Sequence, residues 1–106
     1  MINTIDDTHF ESFISANQLT IVDFWAEWCA PCKLIVPVLE ELASLYKDSI
    51  SIAKINVDHN NLTPVQYEVR SIPSLLFFKN VEFLGRTVGA VSKQLVIDKL
   101  EHFKVL

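Results

Sequence analysis

Residues 18–26, QLTIVDFWA, constrain the fold more than any other stretch. The run is β-branched and aromatic, and its apolar side chains fall at odd and even positions alike, so a strand here is apolar on both faces. Such a strand belongs inside a sheet covered on both sides, which calls for helices above and below. Alternation sets Val22 and Phe24 on one face and Ile21, Asp23 and Trp25 on the other. An acid therefore lies on a covered face. Immediately downstream come Trp28, Cys29, Ala30, Pro31, Cys32 and Lys33.

The remaining pattern supplies the covering layers. Residues 2–5 read as a short strand, and residues 50–57 (ISIAKINV) as another, interrupted by Lys54. Thr8-His9-Phe10-Glu11 has the capping-box pattern, and Phe10, Phe13 and Ile14 recur at helical spacing, which predicts a helix over about 7–17. A second helix is expected from Cys29 or Ala30 to about Tyr46, with Pro31 in its first turn and a kink at Pro37. Its expected buried stripe is Leu34, Ile35, Val38, Leu39, Leu42, Leu45 and Tyr46. Asn60 or Asn61 is the expected cap of a short third helix through Tyr67. Residues 74–79 and 82–88 read as a hairpin around Asn80-Val81, where the β-branched Val81 resists positive φ. Ser92 caps a last helix with Leu95, Val96, Leu100 and Phe103 on its buried face. The order β-α-β-α-β-α-β-β-α predicts an α/β fold, a three-layer sandwich with a central mixed sheet flanked by helices. At 106 residues the chain is expected to form one domain, 1–106.

The net charge of −4 and the lack of a basic cluster argue against a nucleic-acid partner. No apolar run approaches the roughly 20 residues that span a bilayer. The start, MINTIDDTHFESF, has neither a basic opening nor a long apolar core. A cytoplasmic monomer is the expectation. Cys29 and Cys32 are the only cysteines. A disulfide between them closes too small a loop to stabilise the fold much, and in a cytosolic chain the spacing points to metal binding or thiol chemistry. A closed zinc site needs four ligands, and His9, His59 and His102 are scattered without a paired spacing. Thiol chemistry fits better.

At a helix start, free N–H groups and the helix dipole stabilise a thiolate on Cys29. Cys32, one turn on, is expected to be more buried. Cys29 is thus the expected exposed nucleophile and Cys32 the thiol that resolves the mixed disulfide. Lys33 adds a nearby positive charge. Burial raises the pKa of Asp23, which suits it to take the proton of Cys32, directly or through a water. Lys54 pairs with Asp23 and tunes it if their strands are adjacent.

The ordered set Val22-Asp23-Phe24-Trp25-Ala26, Trp28-Cys29-Ala30-Pro31-Cys32-Lys33, Pro37, Lys54, Ile72-Pro73-Ser74 and Val88-Gly89-Ala90 resembles the thioredoxin family over essentially the whole chain. The resemblance implies a thioredoxin fold and a protein-disulfide reductase. It also implies a cis peptide bond before Pro73, beside the thiols, leaving the Ile72 backbone free to pair with an extended target segment. Trp28, Ala30, Pro31, Ile72, Pro73 and the loop Val88-Gly89-Ala90 would form a shallow apolar docking surface, with Gly89 keeping the approach clear. By the same resemblance, a flavoprotein reductase drawing on NADPH restores the thiols, the targets are disulfide-containing proteins, and the protein binds no cofactor. Ala30 stands where the motif usually has Gly, Ser74 where Thr is usual, and Ser71 and Val81 where glycines are common; none removes a group the chemistry needs. The rival readings are a disulfide oxidant or isomerase, which needs a more stabilised first thiolate, a metallochaperone, and a binding module built on the same fold.

Overall fold

The computed structural model describes residues 2–103. Its strands are β1 (Ile2–Thr4), β2 (Leu19–Trp25), β3 (Ser51–Asn56), β4 (Ser74–Lys79) and β5 (Glu82–Val88). They form one five-stranded sheet in the order β1-β3-β2-β4-β5. β1, β3 and β2 are mutually parallel, whereas β4 is antiparallel to β2 and β5 to β4. The strand that is apolar on both faces is the central one, and every residue from Leu19 to Phe24 is buried.

Helices cover both faces as that pattern requires. On one face Val22 and Phe24 pack with Phe10 and Ile14 of α1 (Phe10–Ala16), joined by Tyr67 and Val69 that follow α4 (Thr63–Gln66). On the other, Ile21 packs with Leu39 and Leu42 of α3 (Val36–Leu45) and with Val96 and Leu100 of α5 (Lys93–His102). The Ser92 hydroxyl caps α5, accepting from the Leu95 N–H at 3.1 Å.

Elsewhere the local pattern misleads. The expected helix over 30–46 is two helices, α2 (Ala30–Leu34) and α3, separated at Ile35. Pro37 has no N–H to offer the preceding turn and its ring crowds that turn's carbonyl, so the helix is interrupted at the expected kink, where Ile35 keeps right-handed backbone angles of φ −90° and ψ −10°. A stripe counted through the break fails at both ends: Leu34 is 70% and Leu45 61% exposed. Leu95 is likewise exposed, leaving Val96 and Leu100 to anchor α5. In the hairpin Asn80 takes the positive φ, at 51°, which spares Val81. A register shift between Phe77 and Phe78 leaves Leu84 of β5 as the extra residue. Beside it Gly85 makes room for the Phe103 ring, which would have to shift for a Cβ placed 2.8 Å from it.

The predicted caps of α1 and α4 are also replaced. Helix α1 begins at Phe10, and Asp6, not Thr8, accepts from the His9 N–H, at 2.9 Å. Neither Asn60 nor Asn61 caps α4. The carboxylate of Asp7 does so from far along the chain, accepting from Leu62 N–H at 3.0 Å and Thr63 N–H at 2.9 Å. Asn60 instead holds Asp7, its Oδ1 accepting from the Asp7 N–H at 2.8 Å. Burial raises the Asp7 pKa, but its bonds from Thr63, Leu62 and Asn61 outweigh this and hold it below the ordinary 3.8. Asp7→Ala should therefore cost about 1 kcal/mol at neutral pH. A depressed carboxylate contributes above its unfolded pKa and stops contributing as pH falls through the folded one. Urea unfolding of both proteins should show that the difference closes in acid.

Candidate active site

Beyond β2 the chain turns through buried Ala26, whose carbonyl accepts from the Cys29 N–H at 3.2 Å, and enters α2. Cys29 is the N-cap of α2, and its sulfur accepts from the Cys32 N–H at 3.2 Å. Pro31 sits in the first turn, where a missing N–H leaves no intrahelical bond unmade. Ala30, the first helical residue, is exposed, and its methyl suits a helix start. The two cysteines are joined in a disulfide with Cα atoms 5.3 Å apart. Cys29 is 3% exposed and Cys32 1%, so the expected asymmetry is one of rank only and an openly exposed first sulfur is not observed. The cause is packing: Ala26, Trp25, Val57 and Ile72 close around the pair.

Asp23 is 2% exposed on the face of β2 that also carries Ile21, and its Oδ1 has no hydrogen-bond partner among the described residues. Burial raises its pKa to about 7, and the positive charge of Lys54 pulls the other way. Lys54 stands opposite Asp23 on the neighbouring strand, as adjacency predicted. The two do not form an ion pair. The Lys54 ammonium lies over the Trp25 ring instead, 4.9 Å from its centroid.

The bond between Ile72 and Pro73 is cis. Ile72 packs against the cysteines, and its backbone N–H and C=O make no hydrogen bond among the described residues. The loop around it is tied down. The Ser74 hydroxyl donates to the Ser71 carbonyl at 2.6 Å, and the Gly89 N–H donates to the Pro73 carbonyl at 2.8 Å. Gly89 has φ 93° with open space where a Cβ would lie, so within the chain it is the backbone conformation that demands glycine. Val88, Ala90 and Pro31 are exposed around this point, and Trp28 is 70% exposed.

One contributor escaped the sequence. The Trp28 indole N–H donates to Asp58 Oδ2 at 2.9 Å, which fixes an otherwise exposed ring. Asn56 prepares Asp58 by accepting its N–H at 2.8 Å. Asn56 followed two residues later by Asp58 is a turn signal, yet nothing local links that turn to Trp28. Among the described residues no cluster of three or more His, Cys, Asp or Glu side chains forms a metal site. Among the described residues no helix is long and apolar enough to cross a membrane. A cleft of about 530 Å³ opens at the amino end of β2, between Asn17, Lys47, Ser51 and Lys79, and no residue of the thiol site lines it.

A joined sulfur pair whose first member caps a helix can exist as a thiolate or a disulfide on the same backbone, and the fold thus carries a dithiol/disulfide oxidoreductase site. A sequence model of the thioredoxin family matches residues 1–102. The chain is 49% identical over 90 residues to a thioredoxin of Haemophilus influenzae, covering 84% of each protein. It is 48% identical over 88 residues to a thioredoxin of Acidithiobacillus ferridurans, covering 83% of this chain and 82% of that one. To a thioredoxin of Buchnera aphidicola subsp. Baizongia pistaciae it is 44% identical over 100 residues, covering 93% and 92%. The chain belongs to the thioredoxin family.

The buried carboxyl gives a test in the disulfide form, where the cysteines do not titrate. Between pH 4 and 7 the folded protein keeps a proton on Asp23 that the unfolded chain has released, so stability falls as pH rises across that interval. From pH 5 to 8 the Asp23 contribution should amount to roughly 3 kcal/mol lost. Asp23→Asn should remove that slope. Denaturant titrations of both proteins at the two pH values would show it; parallel losses would mean that Asp23 is ionised in the fold.

Proposed function

We propose that this chain, a single thioredoxin domain over residues 1–106, reduces disulfides in other proteins. The observation that carries the direction of attack is the Cys29 sulfur at the α2 N-cap, accepting the Cys32 N–H at 3.2 Å. That bond favours a thiolate on Cys29 in the reduced protein. The Cys29 thiolate attacks one sulfur of the target disulfide, forming a Cys29–target bond while the other target sulfur leaves as a thiolate and takes a proton. Cys32 then gives its proton to Asp23 and attacks the Cys29 sulfur. The mixed disulfide breaks, the Cys29–Cys32 bond forms, and the second target sulfur leaves as a thiolate that takes up the proton Asp23 releases. Two electrons pass to the target in each cycle, with one proton from Cys32 by way of Asp23 and one from solvent.

Asp23 suits its part because a base with a pKa of about 7 exchanges protons readily near neutral pH. Lys54 tunes it from the adjacent strand. Docking uses Trp28, Ala30, Pro31, Ile72, Pro73, Val88, Gly89 and Ala90. The unpaired Ile72 backbone supports pairing with an extended target segment, and the exposure of Trp28, Val88 and Ala90 supports an apolar contact around it. The protein works as a cytoplasmic monomer without a bound cofactor, and a flavoprotein reductase supplied by NADPH returns it to the dithiol.

A redox titration with alkylation of free thiols tests the couple. We expect one two-electron transition near the value of about −270 mV known for thioredoxin. A much less negative midpoint would identify an oxidant or isomerase, and no transition would leave a binding module. Cys29→Ser should abolish turnover, whereas Cys32→Ser should accumulate mixed disulfides with target proteins. Accumulation on Cys32 in the Cys29→Ser protein instead would reverse the assigned order of attack.

A further inference from the structure

Arg70 stands two residues before Ile72 and its side chain is 85% exposed. Its one ionic partner among the described residues is Glu68, itself 73% exposed, with Nη2 and Oε1 3.3 Å apart. A pair so open to water is weak and easily exchanged. Most of the guanidinium fork, five N–H donors in a plane suited to a carboxylate, has no partner among the described residues.

Glu68 is positioned independently of Arg70. Its backbone has φ 53°, and its carbonyl accepts from Arg86 Nη1 at 3.3 Å. The Arg86 guanidinium also lies over the Phe83 ring at 5.2 Å, so the tether is rooted in β5. The Glu68 carboxylate is thereby presented to Arg70 from a fixed backbone. Arg70 precedes β4, whereas Asp58 follows β3 on the other side of β2; the exposed charges beside Trp28 are acids, Glu27 and the indole's own acceptor Asp58, while Lys33 follows Cys32 on α2. The docking surface is electrostatically two-sided.

We infer that Arg70 is a specificity-determining residue: it binds a carboxylate of the target in exchange for that of Glu68, selecting disulfides with an acidic side chain on the flank that lies along Ile72. The inference rests on the docking reading proposed above. Glu68 acts as an internal competitor that lowers the preference without abolishing it. An acid on the other flank meets Glu27 and Asp58 and gains nothing.

Peptides with a single cysteine, capped as a mixed disulfide with 5-thio-2-nitrobenzoate, separate the possibilities. Each carries Glu or Gln two residues before or two residues after the cysteine. Attack by Cys29 on the peptide sulfur forms the Cys29–peptide bond and expels the coloured nitrobenzoate thiolate, the better leaving group because its pKa is low. The second-order rate of colour release by the reduced protein is the readout. At low ionic strength Glu should exceed Gln by roughly 2- to 5-fold on one flank only, and added salt should compress the ratio. Arg70→Gln should bring the ratio to about 1, and Glu68→Gln should raise it above that of the parent, both by removal or release of the same fork. Equal ratios on both flanks, or a ratio untouched by Arg70→Gln, would overturn the inference while leaving the docking reading intact. Absence of release from every peptide would remove that reading and the inference together.

Discussion

Burial of β2 on both faces is the constraint on which the other features depend. A strand apolar at odd and even positions has no solvent side, so the sheet must extend on both of its edges and carry helices above and below. β3 and β4 supply the edges, and α1 against α3 and α5 supply the layers. An acid placed in such a strand has nowhere to be hydrated. Asp23 is consequently a weak acid because of where the hydrophobic effect has put its strand, and no special arrangement of neighbours is needed to explain its direction of shift. The same burial fixes the exit of β2, and the turn through Ala26 delivers Cys29 to the start of α2.

The register of the sheet then assembles a site from segments distant in sequence. Phe24 is paired with Ser74, and Ser74 with Val88, while Trp25 is paired with Asn56. One row across the sheet therefore brings the end of β2 beside the beginning of β4, the end of β5 and the end of β3. The residues just outside that row are Trp28 and Cys29, Ile72 and Pro73, Gly89, and Asp58. Because β4 is antiparallel to β2, its entry and not its exit lies here, which is why the proline before β4 meets the cysteines after β2. The bond from Gly89 to Pro73 and the bond from Trp28 to Asp58 then lock loops that the register has already made neighbours.

These origins explain what could be read in advance. The double-sided strand, the helix start at the cysteines and the Ser92 cap rest on local chemistry, and each appears where local chemistry puts it. The cis bond at Pro73 was legible only by resemblance, since a proline in a loop says nothing of its spatial neighbours. Errors gathered where a nearby side chain was assumed to do a job that a distant one does. Thr8 and Asn60 looked like caps, but Asp6 and Asp7 hold the N–H groups in question. The long second helix failed for a different reason, because a period of 3.6 residues extrapolates only while the hydrogen-bond ladder is continuous, and Pro37 interrupts it. Asp58 was invisible because its partner lies 30 residues away.

The placement of Lys54 shows how close the site stands to a different chemistry. Directly opposite a buried aspartate, a lysine usually forms an ion pair, and an opposite charge at contact distance holds a carboxylate ionised well into acid. Here the ammonium is drawn to the face of Trp25. Burial raises the Asp23 pKa more than the Lys54 charge lowers it, and the value stands at about 7. A direct ion pair would lower that value, and removal of the lysine would raise it. In the proposed cycle Asp23 must gain a proton in one step and lose it before the next. Trp25 packs against the cluster that holds the cysteines and also carries the Lys54 ammonium on its ring, and so joins the packing of the disulfide to the charge that lowers the Asp23 pKa.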